Sequence, residues 1–312
     1  MSSSSGGGSA RLAAAALAGS GSGGLVDCTH TLTPSTLSFA SHFNLIGGAQ
    51  APVAEASTPG FSIGAAVDTR TAAGTGFRKC MYHMPCDVGT HIDSPAHWYP
   101  GGRDVSELTL EELTAPGAVI DVSQQVAASL AAAAAVVAGG GVGGAGGAGG
   151  AGVTGGAGGA GGAGCGDGNG GDGDGASYGL SVGDVRQFEA EHGRIPPRAL
   201  VVMKTGWAGR FGDHGAYVNG GAFPGFSGEA ARFLIDERDV AGIGVDTASL
   251  DVSPSAGYPV HCAILGSDRY QIENMKLDGV PAGLGSVFIS LPLKVAGGPE
   301  AETRVMCILP AK

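Results

Sequence analysis

His91, Asp93 and His97 are the residues whose types and spacing best suit chemistry, within Cys86-Asp87-Val88-Gly89-Thr90-His91-Ile92-Asp93-Ser94-Pro95-Ala96-His97. In an extended segment His91 and Asp93 stand two apart, so their side chains leave the same face. One divalent ion then reaches both an imidazole nitrogen and a carboxylate oxygen. Pro95 disfavours helical space for Ser94, and the chain turns before His97. That turn can carry a second imidazole to the same cavity without making it a ligand of the same ion. Gly89 permits a positive φ or a close backbone approach just before the Thr-His pair. The same spacing also fits three polar residues on a surface loop with no shared partner, and spacing alone leaves both readings open.

Strands and capped helices must hold such a segment. The fold begins at Leu25-Val26-Asp27-Cys28-Thr29-His30, and Pro34, Pro52 and Pro59 punctuate loops from Thr31 to Gly60. Phe61–Val67 alternates like a strand, and Gly117–Val122 is a continuous apolar run of the buried type. Ser181, with Asp184 three residues on, predicts a capped helix ending at Gly193. Ser227 predicts another through Glu237, with Ala230, Ala231, Leu234 and Ile235 inward. Further strands are expected at 199–203, 241–246, 286–291 and 304–309. Strands alternating with few helices give an α/β or α+β class with a mixed sheet.

Composition limits the size of that fold. Of the 60 glycines, 23 fall between Gly139 and Gly175, and the first 24 residues are mostly Ser, Gly and Ala. Neither stretch buries enough apolar surface to offset the entropy of ordering it. The expected organisation is a disordered tail, 1–24, and one domain, 25–312, interrupted by a low-complexity insert, 127–176. Asp167, Asp172 and Asp174 in the insert lie in a Gly-rich stretch that lacks the closing Glu of a calcium loop. A net charge of −11 argues against nucleic acid, and no run of 18 apolar residues suggests a membrane span. Six scattered cysteines without a C-x-x-C pair point to reduced thiols and a cytoplasmic location. The Ser/Ala-rich start also fits a plastid transit peptide.

The central segment resembles the H-x-G-T-H-x-D-x-P-x-H signature of the cyclase superfamily, which includes bacterial kynurenine formamidases (arylformamidases), isatin hydrolases and related plant proteins. Five further blocks follow the family's order: Lys204-Thr205-Gly206-Trp207, Pro224-Gly225-Phe226-Ser227, Ile243-Gly244-Val245-Asp246-Thr247, Pro259–Gly266 and Gln271-Ile272-Glu273-Asn274-Met275. Leu25–His30 also resembles the family's opening strand. The resemblance implies a single cyclase-like (swivelling β/β/α) domain with a mixed sheet. It puts the metal ligands at His91, Asp93, His261 and Glu273, with Asp93 bridging where two ions bind, and the general acid/base at His97. Phe39, twelve residues after Asp27, falls where formamidases carry an aromatic that packs on the substrate ring. One departure stands out: Asp87 occupies the position of the signature's first His. As a carboxylate ligand it would tilt the site from zinc toward manganese or magnesium. Alternatively Asp87 does not bind and one ion is held, or Cys86 or His83 fills the gap.

These residues imply one or two divalent ions, Mn2+ or Zn2+, lowering the pKa of a bound water toward neutrality. The expected reaction is hydrolysis of the C–N bond of a small aryl formamide or related amide, resembling N-formylkynurenine, with His97 relaying the proton. A metal- or ligand-binding protein without turnover is the alternative. The implied partners are a small-molecule amide and other copies of the chain, as a dimer or tetramer. Trp98, Tyr99 and Trp207 are read first as packing residues, Asp246 as a turn or cap, His30 as near the pocket, and His42, His192 and His214 as solvated.

Overall fold

A computed structural model describes residues 24–36, 60–139, 177–255 and 257–310. In chain order its elements are β1 (Leu25–Asp27), β2 (Ser62–Asp68), β3 (Arg78–His83), β4 (His91–Asp93), β5 (Thr114–Asp121), α1 (Ser123–Gly139), β6 (Gly179–Leu180), α2 (Val182–His192), β7 (Leu200–Lys204), α3 (His214–Val218), β8 (Gly225–Phe226), α4 (Gly228–Arg238), β9 (Gly242–Val245), α5 (Pro259–Gly266), β10 (Tyr270–Glu273), β11 (Gly283–Pro292) and β12 (Glu300–Ile308).

The main sheet runs β12–β11–β5–β7–β9–β10–β4, and β4 pairs again with β12, so the ring of strands closes. β5, β7, β9 and β10 are mutually parallel, whereas β4, β11 and β12 join antiparallel. The mixed α/β class expected from the sequence is therefore the one observed. One edge of β12 serves two strands, β4 beside residues 300–302 and β1 beside 306–308. β2 and β3 form a separate hairpin.

Alternation along the central strands builds two cores. Val119, Leu200, Val202, Ile272, Phe288 and Val305 pack on one face of the sheet. Ala118, Ile120, Val201, Met203, Ile243 and Val245 face the other way, onto Val185 and Phe188 of α2, Ala230 and Leu234 of α4, and Ile264 of α5. This period of two explains why these strands read as continuous apolar runs: both faces are covered.

The helix signals translate directly. Ser181 and Asp184 form a reciprocal capping box, and Gly193 ends α2. Ser227 accepts from the Ala230 amide to start α4. One boundary needs correction, because the expected low-complexity insert at 127–176 begins inside α1, which runs to Gly139. A run of alanine is compositionally simple yet has the best helix propensity. Phe39, His42, the rest of the insert and residues 1–23 lie outside the described residues. Among those described, no helix is long and apolar enough to cross a membrane.

Gly89, the residue two before His91, adopts φ +69°, and an added Cβ there would lie 2.5 Å from Leu32 Cδ2. Gly89→Ala should therefore cost about 1–2 kcal/mol, chiefly through its left-handed backbone. Urea denaturation should give a lower midpoint at unchanged slope; an unshifted midpoint would show that the backbone is not constrained there.

Candidate metal centre

Three short strands supply the floor of the site. His91 and Asp93 on β4 stand opposite Glu273 and Gln271 on β10, and opposite Glu302 and Glu300 on β12. Directly paired residues share a face of the sheet, so His-Ile-Asp, Gln-Ile-Glu and Glu-Ala-Glu set their polar members on one side. Ile92, Ile272 and Ala301 between them enter the core on the other. Beyond β4 the chain is pinned as well, since Ser94 donates through both its amide and its hydroxyl to Pro299 O. Ser94 is extended, and Pro95–His97 form a 3-10 turn, which delivers His97 to the cleft as the Ser-Pro step requires.

α5 brings the fourth group from above. Asp251 accepts from the Val260 and His261 amides, capping this helix, and its Oδ2 lies 2.6 Å from His261 Nδ1. One carboxylate thus starts the helix and orients its histidine. His91 Nδ1 similarly donates to Gly89 O at 2.9 Å, a carbonyl that also accepts from Asn274 Nδ2. With both Nδ1 atoms engaged, His91 and His261 present Nε2 to the cavity, an orientation typical of metal-binding histidines.

The Nε2 atoms meet carboxylates at coordination spacing. His91 Nε2 is 3.4 Å from Asp93 Oδ1 and 3.4 Å from Glu273 Oε2, while His261 Nε2 is 3.4 Å from Glu273 Oε1 and 3.9 Å from Asp93 Oδ2. Two ligands each about 2.1 Å from one tetrahedral ion stand roughly 3.4 Å apart. Asp93 is 1% exposed, and its Oδ1 has no hydrogen-bond partner, which leaves a buried carboxylate oxygen aimed into the cleft. Its other oxygen accepts from Gln271 Nε2 at 2.6 Å. Two groups of donors result, His91/Asp93/Glu273 and Asp93/His97/His261, with Asp93 in both. This donor set fits a divalent cation.

Electrostatics argue the same way. Burial raises the Asp93 carboxyl, aided by Glu273, to about 6. Burial pulls the His91 imidazole down, but the hydrogen bond and charge of Glu273 and the charge of Asp93 more than offset it, leaving it well above its ordinary range. His261 behaves alike, with Asp251 and Glu273 outweighing its burial. Burial also opposes ionisation of Glu273, yet its hydrogen bonds with His261 and His91 hold it down at about 2. Without an ion, protons on imidazoles neutralise the carboxylates, so a cation would take their place.

The remaining residues sort by position. His97 lines the cleft, its Nδ1 2.9 Å from Glu300 Oε1. Asp87 lines the same cleft but falls outside both donor groups. Cys86 turns to Glu300, donating to Oε2 at 2.9 Å, and His83 is exposed at the end of β3. Trp98 lines the cleft with Tyr258, their rings 5.5 Å apart. Trp207 is buried and donates to Tyr217 O, and Tyr99 ties to Cys262 O. Asp246 is buried and accepts from the Thr205 and Trp207 amides. His30 stacks on Phe211 at 3.8 Å, and burial lowers it to about 4. Sequence reasoning missed Asp251, Gln271 and Glu300. Glu300-Ala301-Glu302 carries an alternating strand signal, but Asp251 sits ten residues before its histidine, with no local pattern to reveal it.

A family model described as a putative cyclase matches residues 26–139 and 171–252. The chain belongs to the cyclase family. Isatin hydrolase of Roseibium aggregatum is 26% identical over 236 residues, 71% of each chain. Kynurenine formamidase of Maricaulis maris is 42% identical over 64 residues, 20% of this chain and 30% of that one. The structure of isatin hydrolase A from Ralstonia solanacearum superposes with a TM-score of 0.68 at 28% identity, covering 99% of this chain and all of that one. Together these matches support a metal-dependent hydrolase of the cyclase family.

For this cyclase-family centre, ion uptake should release protons. The raised His91, His261 and Asp93 hold protons to higher pH than free side chains do, so apparent affinity for Mn2+ or Zn2+ should rise with pH and fall as pH drops toward 6. Calorimetry in buffers of different ionisation enthalpy measures the release directly; heats independent of buffer would contradict it. Asp93→Ala should abolish stoichiometric binding and Asp87→Ala should cost far less, as elemental analysis will report.

Proposed function

We propose that the protein is a metal-dependent amidohydrolase that cleaves the C–N bond of a small aryl formamide or a cyclic aryl amide. The observation that carries this reading is the pair of oriented Nε2 atoms facing Asp93 and Glu273, with His97 beside them and engaged through Nδ1 by Glu300. His91, Asp93, His261 and Glu273 would hold the ion, with Asp87 lining the same cleft. Mn2+ suits the oxygen-rich set and Zn2+ the two imidazoles. When bound, such an ion lowers the pKa of water and polarises a carbonyl.

The chain's own residues supply the rest. Glu300 engages His97 Nδ1, so Nε2 is the nitrogen left to move protons. His97 accepts a proton from the attacking water and returns it to the departing nitrogen, which suits an imidazole. Trp98 and Tyr258 line the cleft as its aromatic wall. A neighbouring cavity of about 250 Å3 shares Asp87 with the cleft and is lined by Phe211, Tyr217, Val218 and Asn274. That is small for a ligand pocket and favours a substrate of one or two fused rings. Phe39 is a further candidate for ring packing on the family resemblance. Isatin, a cyclic aryl amide, and N-formylkynurenine, an aryl formamide, both belong to the proposed class.

Protein reconstituted with Mn2+ or Zn2+ should open isatin or deformylate N-formylkynurenine. His97→Ala should lower kcat about 10²- to 10⁴-fold with metal content unchanged. Stoichiometric metal without turnover of any amide, ester or lactam would instead support a binding protein.

A further inference from the structure

We propose that Glu300 is a positioning residue for His97, fixing the ring so that Nε2, not Nδ1, serves the reaction in the cleft. This rests on reading His97 as the group that moves the proton. The geometry is specific. Glu300 Oε1 lies 2.9 Å from His97 Nδ1, and Oε2 accepts from Cys86 Sγ at 2.9 Å. Each carboxylate oxygen has its own partner, so the side chain cannot swing without breaking one of them. Its backbone is equally fixed, because Glu300 pairs in register with Asp93 on β4. Glu300 is 12% exposed and His97 25%, so the contact is largely sheltered from water, unlike a surface ion pair.

An ionised carboxylate only accepts hydrogen bonds, so Nδ1 must be the protonated nitrogen of neutral His97. Nε2 then carries the lone pair. Without Glu300 the Nδ1–H loses its acceptor, and the tautomer is no longer set from that side. A carboxylate that orients a catalytic imidazole and stabilises its charged form plays this part in hydrolytic triads. Here β12 supplies it, from more than two hundred residues beyond His97.

The test uses full-length, Zn2+-loaded protein. Glu300→Gln changes one oxygen to nitrogen and should lower kcat about 10²-fold or more. KM for N-formylkynurenine or isatin should stay within about threefold and zinc stoichiometry should stay unchanged. Glu300→Asp should restore part of the rate. Glu300→Gln combined with His97→Ala should be no slower than His97→Ala alone. Nitrogen NMR of 15N-histidine-labelled protein should show His97 protonated at Nδ1, and Glu300→Gln should disturb that signature. Full kcat in Glu300→Gln, additive losses in the double variant, or loss of zinc would each overturn the proposal. A wild type inactive on both substrates would count against the hydrolase reading alone. The NMR signature then decides the positioning role, and an Nε2-protonated His97 in the wild type would overturn it.

Discussion

β4 is three residues long, yet its position between β10 and β12 governs the site. Antiparallel pairing on both edges fixes which side chains stand beside His91 and Asp93. A shift of one residue on either side would send Glu273 or Glu300 into the apolar core and bring Ile272 or Ala301 into the cleft. That register is held by features outside the strand. Thr90 donates to Asn274 O, Thr303 donates to Thr90 O, and Ser94 is tied to Pro299. The apolar residues buried between the polar ones lock the arrangement, because slipping would expose polar groups to a dry interior.

The cleft concentrates negative charge where water is scarce. Asp93 and Glu273 would repel one another if both were ionised and uncompensated. Imidazolium protons answer this in part, and a divalent ion answers it with more charge in less space. Asp251 lies behind His261 and Gln271 beside Asp93, and both hold their partners in fixed orientation. Those contacts make the donors converge before an ion arrives, which lowers the reorganisation binding requires.

Closure of the sheet and the cleft are linked. β4 completes the ring of strands, so the segment with the densest functional pattern also joins β10 to β12. α5 is likewise both structural and chemical: Val260 and Ile264 pack into the core while His261 reaches the cleft. Damage to either element would affect stability and metal binding together.

Much of this was legible in the sequence because it depends on local rules. Capping at Ser181 and Ser227, the apolar runs of β5, β7 and β9, the i, i+2 placement of His91 and Asp93, and the positive φ at Gly89 all follow from neighbours along the chain. Block resemblance added His261 and Glu273, which local rules cannot connect to His91. The helical nature of residues 123–139 was hidden because simple composition resembles disorder until alanine propensity is weighed. Only the tertiary structure brought in Glu300, Gln271 and Asp251. Their roles come from strand pairing and helix docking between segments ten to more than two hundred residues apart, and such contacts leave no periodic trace in the sequence. The family resemblance likewise put Asp87 at the position of a ligand, and in the folded chain it lines the same cleft as Asp93, Glu273, His91 and His261 without joining either group of close donors.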